Sequence, residues 1–131
     1  MIKNIWTVLA SNIITDKETN MVSYVNCIEI VITKGLPAKM PTIGIGTLWE
    51  KETDQDNSLM VKITLISPSG KIKDVFKTDS IPLPVRRHRL NIIAGNLVAE
   101  EEGEYKIRVE VMGLDKWIIA NEVPFVVTVR K

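Results

Sequence analysis

Strict alternation of apolar and charged residues is the feature that most limits what this chain can become. In Tyr105-Lys106-Ile107-Arg108-Val109-Glu110-Val111 every odd position is apolar and every even one charged. Successive side chains of a strand point to opposite faces, so this run implies a strand with one face in a core and one in water. Val123, Phe125, Val127 and Val129 repeat the pattern against Glu122, Thr128 and Arg130, with Pro124 near the start, where a missing donor is tolerated. Leu59, Val61, Ile63 and Leu65 form a third stripe within residues 59–66. That run ends in Ser67-Pro68-Ser69-Gly70, where Pro presets φ and Gly supplies a positive φ. Residues 71–77 then resume as a charged strand, so the two runs are expected to pair as a hairpin.

Residues 22–32 read as one strand rich in β-branched side chains. Val22, Tyr24, Ile28, Ile30 and Ile32 share one face, and Val25 and Val31 lie on the other. A polar turn at residues 15–20 precedes it, and Gly35, Pro37 and Pro41 mark a longer crossing loop after it. Residues 43–50 follow as a strand carrying Trp49, with Gly44 and Gly46 suited to a bulge or to close backbone approach. Residues 86–94, reached through Pro82 and Pro84, read as a strand with Leu90 and Ile92 inward, while 51–58 is a polar loop. Residues 1–14 leave two readings open. Ile2, Ile5, Trp6, Leu9 and Ile13 fall at helical spacing, whereas the β-branched content and the turn that follows favour a strand.

About eight short strands with no βαβ alternation imply an all-β fold, a sandwich or a barrel. No repeat or linker divides the 131 residues, so one domain spanning residues 1–131 is expected. A composition 45% apolar and 25% charged supplies an ordinary core without staples. The net charge of +1, from 17 basic and 16 acidic side chains, lacks the basic excess of nucleic-acid binders, and no nucleic-acid partner is expected. One cysteine, Cys27, excludes an intramolecular disulfide and CxxC-type sites. Flanked by Asn26, Ile28 and Glu29, it has no cationic neighbour in sequence and reads as a small hydrophobe in a strand. Residues 1–14 lack the apolar core and cleavage site of a signal peptide, and no stretch approaches the ~20 apolar residues of a membrane helix. A soluble, cytoplasmic chain without a membrane partner is the expectation.

Catalytic constellations are sparse. His88 is the one histidine, so multi-imidazole metal sites are ruled out. A Cys27–His88 nucleophilic pair has no orienting third group in view, and no Gly-x-Ser-x-Gly elbow exists. Gly44-Ile45-Gly46 lacks the third glycine and the following helix of a phosphate loop. Asp54, Asp56 and Asn57 form a fragment of calcium-loop chemistry without its Gly and distal Glu, and read as a solvated loop. No enzyme activity, cofactor or metal is expected. Arg86-Arg87-His88-Arg89 is the densest feature, three guanidiniums able to grip phosphate or carboxylate. In an extended strand Arg87 and Arg89 diverge from Arg86 and His88, so half the cluster meets any one ligand, and a charge-protected edge strand is the plainer reading. Trp117, in Lys116-Trp117-Ile118-Ile119-Ala120, is either core or a contact surface.

Glu101-Glu102-Gly103-Glu104-Tyr105-Lys106-Ile107 resembles the acidic-x-Gly-x-Tyr-x-Cys pattern of immunoglobulin-type domains, with Ile107 in place of the cysteine. The resemblance implies an immunoglobulin-like antiparallel β-sandwich, a Tyr105 hydroxyl bonded to upstream backbone, and Trp49 in the role of the core tryptophan of the third strand. Residues 11–20 with Val22-Ser23-Tyr24-Val25, the Leu36-Pro37-Ala38 loop and the stretch from Gly103-x-Tyr105 to Pro124 resemble an uncharacterised bacterial domain-of-unknown-function family. Those motifs are turns, so the resemblance implies a similar sandwich and carries no site residues. The function expected is a non-enzymatic protein-interaction or structural module, self-association included, with Arg86, Arg87, His88, Arg89 and Trp117 as candidate contacts. The alternative is a small-ligand or carbohydrate-type domain with Trp49 or Trp117 and loop carboxylates walling a pocket.

Overall fold

The computed structural model describes residues 1–130, and none of these is helical. The strands are β1 (Ile2–Thr15), β2 (Val22–Cys27), β3 (Ile30–Thr33), β4 (Ala38–Lys39), β5 (Ile43–Lys51), β6 (Ser58–Leu59), β7 (Val61–Ile66), β8 (Ile72–Lys77), β9 (Ile81–Pro82), β10 (Arg87–Ala94), β11 (Val98–Ala99), β12 (Gly103–Met112) and β13 (Trp117–Val129). One sheet runs β10-β5-β1-β2 and another β3-β13-β12-β7-β8, with the two-residue pairs β11-β4 and β6-β9 beside them. All pairings are antiparallel except β13 with β3, which run parallel. The expectation of a wholly antiparallel sheet system fails at that pair, because β3 is fed from the opposite sheet rather than from a hairpin.

The alternating stripes build the core. Tyr105, Ile107, Val109 and Val111 of β12 are buried, as are Val61, Ile63 and Leu65 of β7 and Phe125 and Val127 of β13. They meet Leu9, Ile43, Ile45, Trp49 and Ile92 of the other sheet in one cluster. Each such aliphatic or aromatic side chain contributes roughly 1.5–3 kcal/mol over leaving it in water. Residues 1–14 resolve as strand, since helical spacing cannot compete with a ladder to both β2 and β5. The hairpin of β7 and β8 forms as its turn residues require, with Gly70 at φ 92°. Trp49 is sealed in the core but lies on β5, in the sheet opposite Tyr105; β7, beside β12, carries no tryptophan.

Tyr105 donates its hydroxyl to the carbonyl of Glu101 at 2.8 Å, tying the start of β12 to the turn before it. Gly103 allows this, because its φ is 129° and a Cβ there would lie 2.9 Å from Cγ of Pro68.

The run 22–32 is two strands in two sheets, not one. Asn26 adopts φ 54°, a left-handed conformation that Asn tolerates better than most residues. The chain turns there and leaves β2 in the first sheet to enter β3 in the second. The face pattern turns with it: Val31 is buried, whereas Ile30 and Ile32 are more than half exposed.

The first sheet curls. Ile13 and Tyr24, directly paired across the β1–β2 hairpin, lie on Gly44 and Gly46 of β5. The tip reaches beyond β5 to β10, where Arg89 Nη2 donates to the Asn20 carbonyl at 3.0 Å and Tyr24 Oη to Asn91 Oδ1 at 3.2 Å. That is why β5 is buried almost end to end.

A Cβ at position 46 would stand 2.1 Å from Tyr24 Cε1, inside any real contact. Gly46→Ala is therefore expected to lose about 1–3 kcal/mol in urea unfolding, the usual overpacking cost. Gly35→Ala, with nothing within 4 Å of the new Cβ, should stay within about 0.5 kcal/mol of the parent.

Candidate functional site

The basic run splits among separate tasks. Arg86 precedes β10 and is not held to its pleat. Its Nη2 donates to Glu50 Oε1 at 3.1 Å, and Arg87 Nε donates to Glu50 Oε2 at 2.8 Å. The expected divergence of Arg86 from Arg87 is thus corrected: both converge on one carboxylate, because the irregular backbone at residue 86 frees that side chain. Register places Glu50 between Arg87 and Lys3. The Glu50 side chain is only 9% exposed while the two arginines remain 74% and 66% exposed. Arg89 is spent on Asn20, and its Nε is buried without a partner among the described residues. His88 is half-buried, paired in register with Trp49. As an edge strand bearing Arg87 and Arg89, β10 has the charge that discourages sheet-to-sheet pairing.

Cys27 is exposed at the end of β2, not packed as a small hydrophobe, because the chain leaves the sheet at Asn26. Nor does it approach His88. Cys27 pairs with Ala10, which pairs with Gly44, whereas His88 pairs with Trp49. Five steps along β5 separate those rows, roughly 16 Å at the rise of a strand. No three His, Cys, Asp or Glu side chains among the described residues are placed to hold a metal ion. Asp56 instead accepts from the Thr53 N–H and hydroxyl, closing the 51–58 loop on itself.

Trp117 opens β13, half-buried beneath two ammonium groups. Lys62 Nζ stands 5.3 Å and Lys77 Nζ 5.6 Å from its ring centroid, and Lys62 also pairs with Glu110 at 3.4 Å. A cleft of about 790 Å³ lies at the end of the fold near the 113–116 turn and is lined by Ile2, Met60, Met112 and Ile118 with Asp56 and Asp115. Neither Trp49 nor Trp117 lines it.

A second groove, about 610 Å³, runs beside β3 and is lined by Cys27, Ile28, Val31, Ile32, Met40 and Pro41 among others. Here two consecutive edge strands, β2 and β3, flank the open side between the sheets. Among the edges, β10 carries arginines, β8 carries Lys73, Asp74 and Lys77, and β2 is folded back toward β10. By contrast β3 is Ile-Val-Ile-Thr, wholly β-branched and uncharged. Val126 N–H donates to the Glu29 carbonyl and Arg130 N–H to that of Thr33, so odd-numbered residues bond β13. In a parallel ladder the alternate residues, Ile30 and Ile32, then turn their N–H and C=O toward the open edge. Their side chains sit beside exposed Val126 on the outer face. Sequence reasoning missed this edge by reading residues 22–32 as one strand; Asn26, a residue suited to positive φ, was the available signal.

No protein-family model matches the chain, and no curated protein matches it.

The two guanidiniums hold the Glu50 carboxyl below its usual range; the Arg87 hydrogen bond is the largest cause, burial opposes it, and Arg86 adds to the lowering. A carboxyl depressed in the folded state stabilises the fold above the ordinary carboxylate range, and that contribution is lost as pH falls through the folded value. Glu50→Gln should therefore be less stable than the parent at pH 7, with the gap closing as pH falls below the ordinary carboxylate range. Denaturant midpoints of both chains across that range are the check.

Proposed function

We propose that the chain is a non-enzymatic interaction module with an immunoglobulin-like arrangement, and that it meets protein partners by strand pairing at β3. The observation that carries the reading is the contrast among edges: charge or a folded-back hairpin guards the others, while β3 presents four uncharged β-branched residues and turns the backbone groups of Ile30 and Ile32 outward. Edge strands normally carry devices against such pairing, so an edge without them is suited to accepting a strand. The immunoglobulin-like reading is supported by the order β7-β12-β13, matching the C-F-G sheet, by β5 beside β10 as B beside E, and by the Tyr105–Glu101 bond. On this reading β1 takes the place beside β5 usually held by the first strand, and β3 lies beside the last.

A small-ligand or carbohydrate reading asks for a cleft walled by an indole. With Trp49 in the core and Trp117 under two lysines, the interaction reading is preferred.

The test uses a labelled hexapeptide of alternating Val and Thr as an extended probe, with the chain dilute enough to be monomeric. Saturable binding by fluorescence anisotropy is expected, weakened at least about tenfold in Ile32→Pro, since proline deletes an outward donor without touching the bonds to β13. Ile32→Lys, which keeps the donor and adds charge, guards against a folding defect and should weaken binding too. A parent chain that leaves the probe free, or binds it equally well in both variants, overturns the reading.

A further inference from the structure

The strand that bears the open edge is polarised. Glu29 stands at its entrance, Lys34 at its exit with Arg130 close by, and all three are exposed. Neither Glu29 nor Lys34 forms an ion pair among the described residues. Between them Ile30 and Ile32 offer two N–H and two C=O groups outward, spaced symmetrically about Val31. A sequence of this kind is complementary to itself when reversed.

We propose that β3 pairs antiparallel with β3 of a second copy of this chain across a two-fold axis at Val31. The proposal rests on the edge reading above and names its occupant. Ile30 of one copy opposes Ile32 of the other, giving four backbone hydrogen bonds in two closely spaced pairs. The two five-stranded sheets become one continuous ten-stranded sheet. Ile30 and Ile32 of both copies then stand side by side on one outer face, each shielding the flank of a residue that is 55% or 57% exposed in the single chain. An isologous contact of this kind closes on itself and does not propagate into a fibre.

Charge decides the direction. Antiparallel pairing brings the Glu29 end of each strand to the Lys34 and Arg130 end of its mate, whereas parallel pairing would set like charges together. Opposite charges across an interface favour the matched register and penalise the wrong one.

The experiment measures mass by light scattering and sedimentation over micromolar to millimolar chain. The parent is expected to pass from monomer to dimer, and Ile32→Pro to remain monomeric. Glu29→Lys and Lys34→Glu should each weaken the dimer by on the order of tenfold at low salt, because two attractive contacts become repulsive. Mixing the two single variants should restore a dimer, since each then meets its opposite; the double variant E29K/K34E should also recover. A parent that stays monomeric at millimolar concentration overturns this inference, while binding of the Val-Thr probe would leave the edge reading standing. A dimer indifferent to the charge variants but lost in Ile32→Pro overturns the antiparallel two-fold alone. A dimer indifferent to Ile32→Pro places the contact elsewhere and overturns the inference outright.

Discussion

The fold depends on β5 being able to carry a layer on each face. Its inward residues, Ile43, Ile45, Thr47 and Trp49, are all but sealed in the core. Its outward positions 44 and 46 are glycines, and the missing side chains make room for Ile13 and Tyr24. A larger residue at either place would hold the hairpin off the sheet. The hydroxyl of Tyr24 would lose Asn91, and Arg89 would lose the Asn20 carbonyl. Close backbone approach at two positions thus sets the curl of the whole first sheet, and the curl in turn hides the edge of β2.

With β2 folded back and β10 and β8 charged, unsatisfied strand chemistry is left to β3. The same geometry explains why the basic run does not form a single site. Arg89 is drawn into holding the hairpin, Arg86 and Arg87 clasp Glu50, and His88 lies in register with Trp49. Residues adjacent in sequence serve three different contacts because the pleat and the loop before it send them apart.

Much of the architecture was legible in the sequence where one face of a strand is wet and the other dry. The stripes of Tyr105 to Val111, 61–66 and 123–129 read directly, since period-2 patterning survives wherever the fold has two distinct sides. Leu59 belongs to the separate β6, and β13 begins at Trp117, which puts Pro124 in mid-strand opposite Lys106 rather than near the start. Gly44 and Gly46 were legible as close-approach positions, though not what approaches them. The run 22–32 misled because β-branched content is continuous across Asn26 while the backbone is not, and a single residue at positive φ resets every face beyond it. Glu50 was invisible as the partner of the arginines, because 36 and 37 residues separate it from Arg86 and Arg87 in sequence. Cross-strand register, which no local pattern encodes, is what singles it out.

The parallel pairing of β3 with β13 joins residues near 30 with residues near 126. Bringing such distant segments together demands closure of most of the chain, and contacts of that separation lag behind local hairpins. Nothing holds β3 in the second sheet until β13 has been made and laid on β12. The least guarded strand of the molecule is therefore also among the last to find its place, so its apolar residues face water longest while the polypeptide is still organising.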